Sequence, residues 1–193
     1  MRRTTMLVVC TLVLALSAGY AAAAITTPGP DTLKVDYFAN ANTAGAPDGT
    51  YRITNPGTAG GSLCAAIFVF DPNQELSECC SCFVSPDGLR TLSVNTDLTG
   101  NPLTGVVLST GVVKIVPIPT RGGVCPAYPT SLAPTASVRS WGTHIQNSNF
   151  TITETASQDA TLSAAEVGRL QGQCFAIQLD GSGKGQCTCG TGD

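Results

Sequence analysis

Cysteine placement constrains this chain more than any other feature of its sequence. Glu78-Cys79-Cys80-Ser81-Cys82 holds three cysteines, and Cys187-Thr188-Cys189 holds two more near the end. Bridged cysteines prefer Cα atoms roughly 5.5–6 Å apart with facing Cβ vectors, so immediate neighbours rarely bridge each other without strain. Cys79, Cys80 and Cys82 are therefore expected to reach separate, distant partners. The candidates are Cys64, Cys125, Cys174, Cys187 and Cys189. The C-terminal pair is the obvious source of two, so Cys187 and Cys189 are expected to tie the tail back onto the Cys79–Cys82 segment. Eight cysteines allow on the order of a hundred connectivities, and the sequence does not select a full map.

The compartment comes from the N-terminus. Arg2 and Arg3 form a short positive region, Met6 to Ala18 is almost unbroken apolar sequence, and Ala22-Ala23-Ala24 offers a small-x-small cleavage site before Ile25. This pattern predicts a Sec-type signal peptide over residues 1–24, with cleavage near Ala24. The apolar run is too short for a membrane span, which needs roughly 20 residues. No cysteine follows the small residues as a lipid acceptor, and Thr4-Thr5 stands where a twin-arginine signal wants a bulky apolar residue. No later stretch could span a bilayer, so a secreted or periplasmic product is expected, soluble or associated with a surface.

Cleavage removes Cys10, the odd member of nine cysteines, and leaves an even set. Losing Arg2 and Arg3 takes ten basic residues to eight against thirteen acids, so net charge moves from −3 to −5. A sparsely charged, acidic chain without a basic run lacks the footprint of a nucleic-acid binder. Residues 25–193 have a natural size for one domain, and a domain of that size buries roughly 70% of its unfolded surface. Disulfides are then reinforcement of a real core, each adding ~2–4 kcal/mol.

Past a Thr/Pro/Gly leader at Ile25–Pro30, expected to be frayed, the chain reads as short apolar or alternating runs between turns. Leu33, Val35 and Tyr37 alternate as one face of a half-buried strand. Thr50 to Thr54 is a second strand. Leu63 to Phe70 is apolar throughout, which predicts a strand covered on both sides. Phe83-Val84 and Leu89–Val94 flank Ser85-Pro86-Asp87-Gly88 as a hairpin with a type I turn. Gly105–Leu108 and Val112–Ile118 read as another hairpin, after which Pro117 and Pro119 break the pattern. Thr120–Pro134 is a loop pinned by Cys125. Arg139, Trp141, Thr143 and Ile145 alternate along a strand, with Phe150–Thr153 returning. Ser163-Ala164-Ala165-Glu166 has the form of a capping box, and Val167, Leu170, Cys174 and Ile177 then share one helical face, ending near Gly181. That placement aims Cys174 inward, ready to staple the helix to a strand. The class is mainly β, a sandwich- or barrel-like single domain with one C-terminal α-helix, reinforced by disulfides.

Local signatures of chemistry are scarce. His144 is the only histidine, and the expectation is an ordinary surface or edge residue opposite the Trp141 face, not part of a catalytic triad. There is no Gly-x-Ser-x-Gly elbow and no His-Glu-x-x-His. Gly181-Ser182-Gly183-Lys184-Gly185 resembles a phosphate loop but lacks the spacer and the Ser/Thr after lysine, so it reads as a flexible loop. Asp71, Glu75 and Glu78 read as a solvated acidic loop ahead of a calcium site. Asn149-Phe150-Thr151 is a glycosylation sequon. No catalytic residue, metal ligand or cofactor is assigned. The clustered thiols suggest one alternative, extracytoplasmic metal or redox handling. Their spacing is neither a zinc pattern nor Cys-x-x-Cys, and an oxidising compartment removes free thiols.

Leu63-Cys64-Ala65-Ala66-Ile67-Phe68-Val69-Phe70-Asp71, Glu78-Cys79-Cys80-Ser81-Cys82 and Cys187-Thr188-Cys189-Gly190-Thr191-Gly192-Asp193 together resemble a group of uncharacterised exported bacterial proteins rich in cysteine. The resemblance rests on the cysteine pattern and implies a bacterial exported origin, with no activity to carry over. The expectation for function is a non-enzymatic structural or binding module of the cell exterior or periplasm, engaging an extracellular or envelope partner.

Overall fold

The computed structural model describes residues 31–193; the leader, Cys10 and the Ile25–Pro30 segment lie outside the described residues. Its strands are β1 (Leu33–Phe38), β2 (Thr50–Thr54), β3 (Leu63–Phe70), β4 (Leu76–Val84), β5 (Leu89–Ser93), β6 (Gly111–Pro119), β7 (Arg139–Gln146), β8 (Thr151–Ala156) and β9 (Gln158–Ala160). A π-helical turn, Val94–Leu98, follows β5, and α1 (Ala164–Asp180), the one α-helix among the described residues, closes the order. The strands form two antiparallel sheets, β4-β3-β6-β1-β9 and β5-β2-β7-β8. They pack as a sandwich and not as a closed barrel, and α1 covers part of the outer face of the five-stranded sheet.

β3 shows why its sequence is apolar at every position. Ala65, Ile67 and Val69 face the core between the sheets, while Ala66, Phe68 and Phe70 face the layer under α1. All eight residues are buried, and an Ile or Phe so placed contributes roughly 1.5–3 kcal/mol. β6 beside it contains Pro117 and Pro119, which were expected to end a strand. The Pro117 carbonyl accepts from Thr135 N at 2.8 Å, away from β3. A residue's N and O point to the same side of an antiparallel strand, so the missing N–H removes no ladder bond there.

The two hairpins expected at 83–94 and 105–118 do not form. The Ser85–Gly88 turn has its bond, Gly88 N to Ser85 O at 2.9 Å, yet β4 and β5 belong to different sheets. The turn is therefore an arch across the sandwich, and β5 pairs with β2 instead. Gly105–Leu108 is not a strand, because its acceptors serve the loop after β1. Asn42 Nδ2 donates to Leu108 O at 2.9 Å and Ala41 N to Ser109 O at 2.9 Å. The β7–β8 hairpin does form, with longer strands than the alternation suggested.

Alternation in β1 is present with a different inward face. Lys34, Asp36 and Phe38 point between the sheets and are buried, whereas Tyr37 is 45% exposed. Leu33 and Val35 instead line the α1 side, in the layer below the helix. Lys34 is tolerated inside because Asp31 and Asp159 pair with it.

α1 begins and ends as its sequence predicts. Ser163 Oγ accepts from Glu166 N at 3.2 Å, and Gly181 is left-handed at φ 66°. Leu170, Cys174 and Ile177 are its buried stripe. The capping box is only half made. The Glu166 carboxylate accepts from Arg169 and Lys114 instead of reaching back to Ser163, since charged donors outcompete one backbone N–H. Those cations, Arg169 first, hold its pKa down at about 2 despite partial burial.

Candidate functional site

A sandwich has two open seams where its sheets face each other, and here they are closed by different chemistry. At the β4/β5 seam the C-terminal tail lies between the sheets. Cys79 N donates to Gly185 O at 2.8 Å on one side, and Thr91 and Thr191 exchange two bonds of 2.9 Å on the other. Cys80–Cys187 and Cys82–Cys189 fasten the tail to β4, as the clustered cysteines predicted. Cys79–Cys174 staples α1 to the same strand, and Cys64–Cys125 pins the long loop to β3. Gly190 fits at φ 56° where a Cβ would stand 2.1 Å from Thr91 O. All eight cysteines of residues 31–193 are thus in disulfides, and none offers a thiol for metal or redox work. Among the described residues there is no group of three or more His, Cys, Asp or Glu able to hold a metal ion.

The opposite seam lies where β8 of one sheet passes through Ser157 into β9 of the other. It is polar. Asp36 accepts from Tyr37 N at 2.8 Å and from Ser157 Oγ at 2.9 Å, and Ser140 Oγ donates to Ser157 Oγ at 2.7 Å. His144, expected at the surface, is 2% exposed. Its Nε2 is 2.8 Å from Thr155 Oγ1 and 3.4 Å from Asp36 Oδ1, and Nδ1 has no partner among the described residues. The His144 ring stacks on Tyr37 with centroids 4.3 Å apart. Tyr51 OH donates to Tyr37 O at 2.9 Å, and burial, with the Asp36 charge adding to it, pushes the Tyr51 phenol well above its ordinary pKa. Gly142 makes room for all this, because a Cβ there would stand 2.6 Å from Asp36 Oδ2.

Aspartate, histidine and hydroxyls in contact invite comparison with a catalytic triad, and the geometry rejects it. A triad sets one imidazole nitrogen on the acid and the other on the nucleophile. Here the same nitrogen faces both Asp36 and Thr155, while Ser157 and Ser140 hold one another and Asp36. The cluster is a buried polar network whose product is a fixed shape.

That shape frames a groove on the outer side of β1 and β6, beside α1. Two cavities share Tyr37 and Val112 as a common wall, with volumes of about 610 Å³ and about 260 Å³. The larger runs from Tyr37 past Val112 to Phe70, Asp71 and Gln74. Lys114 Nζ and Arg169 Cζ lie 5.3 Å and 4.8 Å from the centre of the Phe70 ring. The smaller reaches His144 and Thr155.

The acidic residues read together at 71–78 are not together. Asp71 Oδ1 accepts from Asn73 N and Glu75 N and so shapes the β3–β4 turn. Glu78, expected in solvent, is fully buried, with Oε1 accepting from Asn101 N at 2.9 Å and Oε2 without a partner among the described residues. Burial lifts its pKa to about 7 against the pull of that N–H. The 181–185 segment is tied down through Gly185, whose N donates to Asn101 O at 2.8 Å. Asn149 of the sequon lies on the exposed β7–β8 turn. Sequence reasoning missed Asp36, Tyr37 and the groove. The one signal available was Gly142 inside a strand, which marks close approach by another group. Comparison with protein-family models, with curated proteins and with solved structures finds no match to this chain.

Proposed function

We propose that the chain is an exported, non-enzymatic binding module, rigidified by its disulfides, whose ligand site is the groove divided by Tyr37. The observation that carries this reading is the groove itself. A cavity of about 610 Å³ falls within the roughly 300–1,000 Å³ usual for small-molecule sites. Its walls are strand residues, a cross-linked helix and the short β3–β4 turn that Asp71 ties together, so little ordering cost attends binding. Four disulfides support an extracytoplasmic setting, and the leader-like residues 1–24 agree with export to the periplasm or beyond. The polar network under Tyr37 holds the wall in place and supplies no activated nucleophile.

Fragment screening by NMR on the isotope-labelled, oxidised mature protein tests the reading. Shift changes concentrated on Tyr37, Val112, Phe70 and Arg169 are the expected result. Fragments that bind only elsewhere, or robust turnover in a hydrolase and glycosidase screen, would overturn it.

A further inference from the structure

We infer that the ligand of this groove is a neutral oligosaccharide, seated on Tyr37 and hydrogen-bonded by the polar residues of the β3–β4 turn. The inference rests on the binding reading above and adds the chemistry of the occupant. Tyr37 is an aromatic platform held ready: His144 stacks on its ring, Gln146 Nε2 donates to its hydroxyl at 3.1 Å, and its remaining surface lines both cavities. A fixed ring of this kind binds an apolar face at small entropic cost, and the C–H face of a pyranose offers one.

Polar groups in the larger cavity match a hydroxylated ligand. Among the described residues, the Gln74 side chain and Asp71 Oδ2 make no hydrogen bond, and Lys114 Nζ makes a single one, to Glu166. An amide, a carboxylate oxygen and an ammonium together supply donors and acceptors in both directions, which vicinal hydroxyls can satisfy at once. Charge argues the same way. Lys114 and Arg169 are matched by Glu166, which accepts from both, and by Asp71 at the rim. The site carries no excess of either sign to attract an anion or a cation.

The test is calorimetric titration of the oxidised mature protein with cellotriose, maltotriose, xylotriose and chitotriose, beside a galacturonic acid trimer and benzylammonium as charged probes. Binding by at least one neutral trimer is expected. Tyr37→Ala should weaken it roughly tenfold, a loss in line with aromatic contact energies, and Gln74→Ala should weaken it severalfold. Tyr37→Phe keeps the ring and should bind within roughly threefold of the parent, which guards against a folding artefact. If only charged probes bind, in a Tyr37-dependent way, the oligosaccharide assignment fails while the groove remains a binding site. If no neutral trimer binds and fragment screening also leaves the groove silent, both readings fail.

Discussion

At the β4/β5 seam the sheets are joined through a tail that sulfur holds to β4, and at the β8/β9 seam by hydrogen bonds. In the first, Cys80–Cys187 and Cys82–Cys189 lock the tail onto β4, and the Thr91–Thr191 backbone pair carries it to β5. In the second stand Asp36, Ser140, His144 and Ser157, each buried and each answering another. Covalent closure restrains the unfolded chain and tolerates a range of neighbours. Polar closure stabilises modestly when complete, and costs more when one member is lost than the intact bond contributed. The two seams divide the labour: the sulfur seam supplies durability, and the hydrogen-bonded seam fixes the position of one aromatic wall.

The largest effect is expected at the sulfur seam. Replacing Cys80, Cys82, Cys187 and Cys189 together with Ala should cost about 3–5 kcal/mol, because with Cys79–Cys174 intact the released bridges close a ring of roughly 16 residues through Cys79-Cys80 and Cys174–Cys187 and a shorter one inside it. Removing Cys82–Cys189 alone should cost about 2 kcal/mol or less. With Cys80–Cys187 intact, that bridge closes only a short ring through Ser81 and Thr188. Urea unfolding of the oxidised variants measures both, and equal losses would refute the nested arrangement.

Next in size is Glu78, beside the same seam. Its folded pKa of about 7 lies above the ordinary 4.5, so the native state binds more protons than the unfolded chain between those values. Stability therefore falls as pH rises through that window, and the loss, up to about 3 kcal/mol, is complete above it. Glu78→Gln should flatten the profile and make the protein more stable than the parent at alkaline pH, as thermal melts across the window would show.

At the polar seam, Gly142→Ala drives a Cβ into Asp36 Oδ2 and should cost about 1–3 kcal/mol. The same melts read it, and the Tyr37 and His144 NMR signals should shift with it. Tyr37→Ala should change stability least, by about 0.5 kcal/mol, since the ring is half exposed. It should nonetheless weaken fragment binding in the groove roughly tenfold. A large destabilisation would make Tyr37 a structural residue.

The two seams were not equally legible. Cys174 on a helical stripe, and paired clusters at 79–82 and 187–189, announce the sulfur seam because cross-linking needs only proximity and the residue type is rare. Ser163 and Gly181 announce the helix ends, since a cap acts within one turn. The polar seam gives no such notice. Lys34, Asp36, Ser140, His144 and Ser157 look like surface residues one at a time, and they become interior only when β1, β7 and β8 meet more than a hundred residues apart. Glu78 was misplaced for the same reason, as its cover comes from the 99–103 loop and the tail. Ser85-Pro86-Asp87-Gly88 announces a turn and forms one, but a local signal cannot say that the strands on its two sides join different sheets.

The tail fastened beneath β4 has a consequence for biogenesis. Cys187 and Cys189 follow every described strand and α1 in the chain, so they leave the ribosome well after β4, the strand they lock. Until they arrive the seam stays unlatched, whatever the remainder has folded into. Latching is therefore a late event in maturation, reached only after both sheets and α1 have been synthesised.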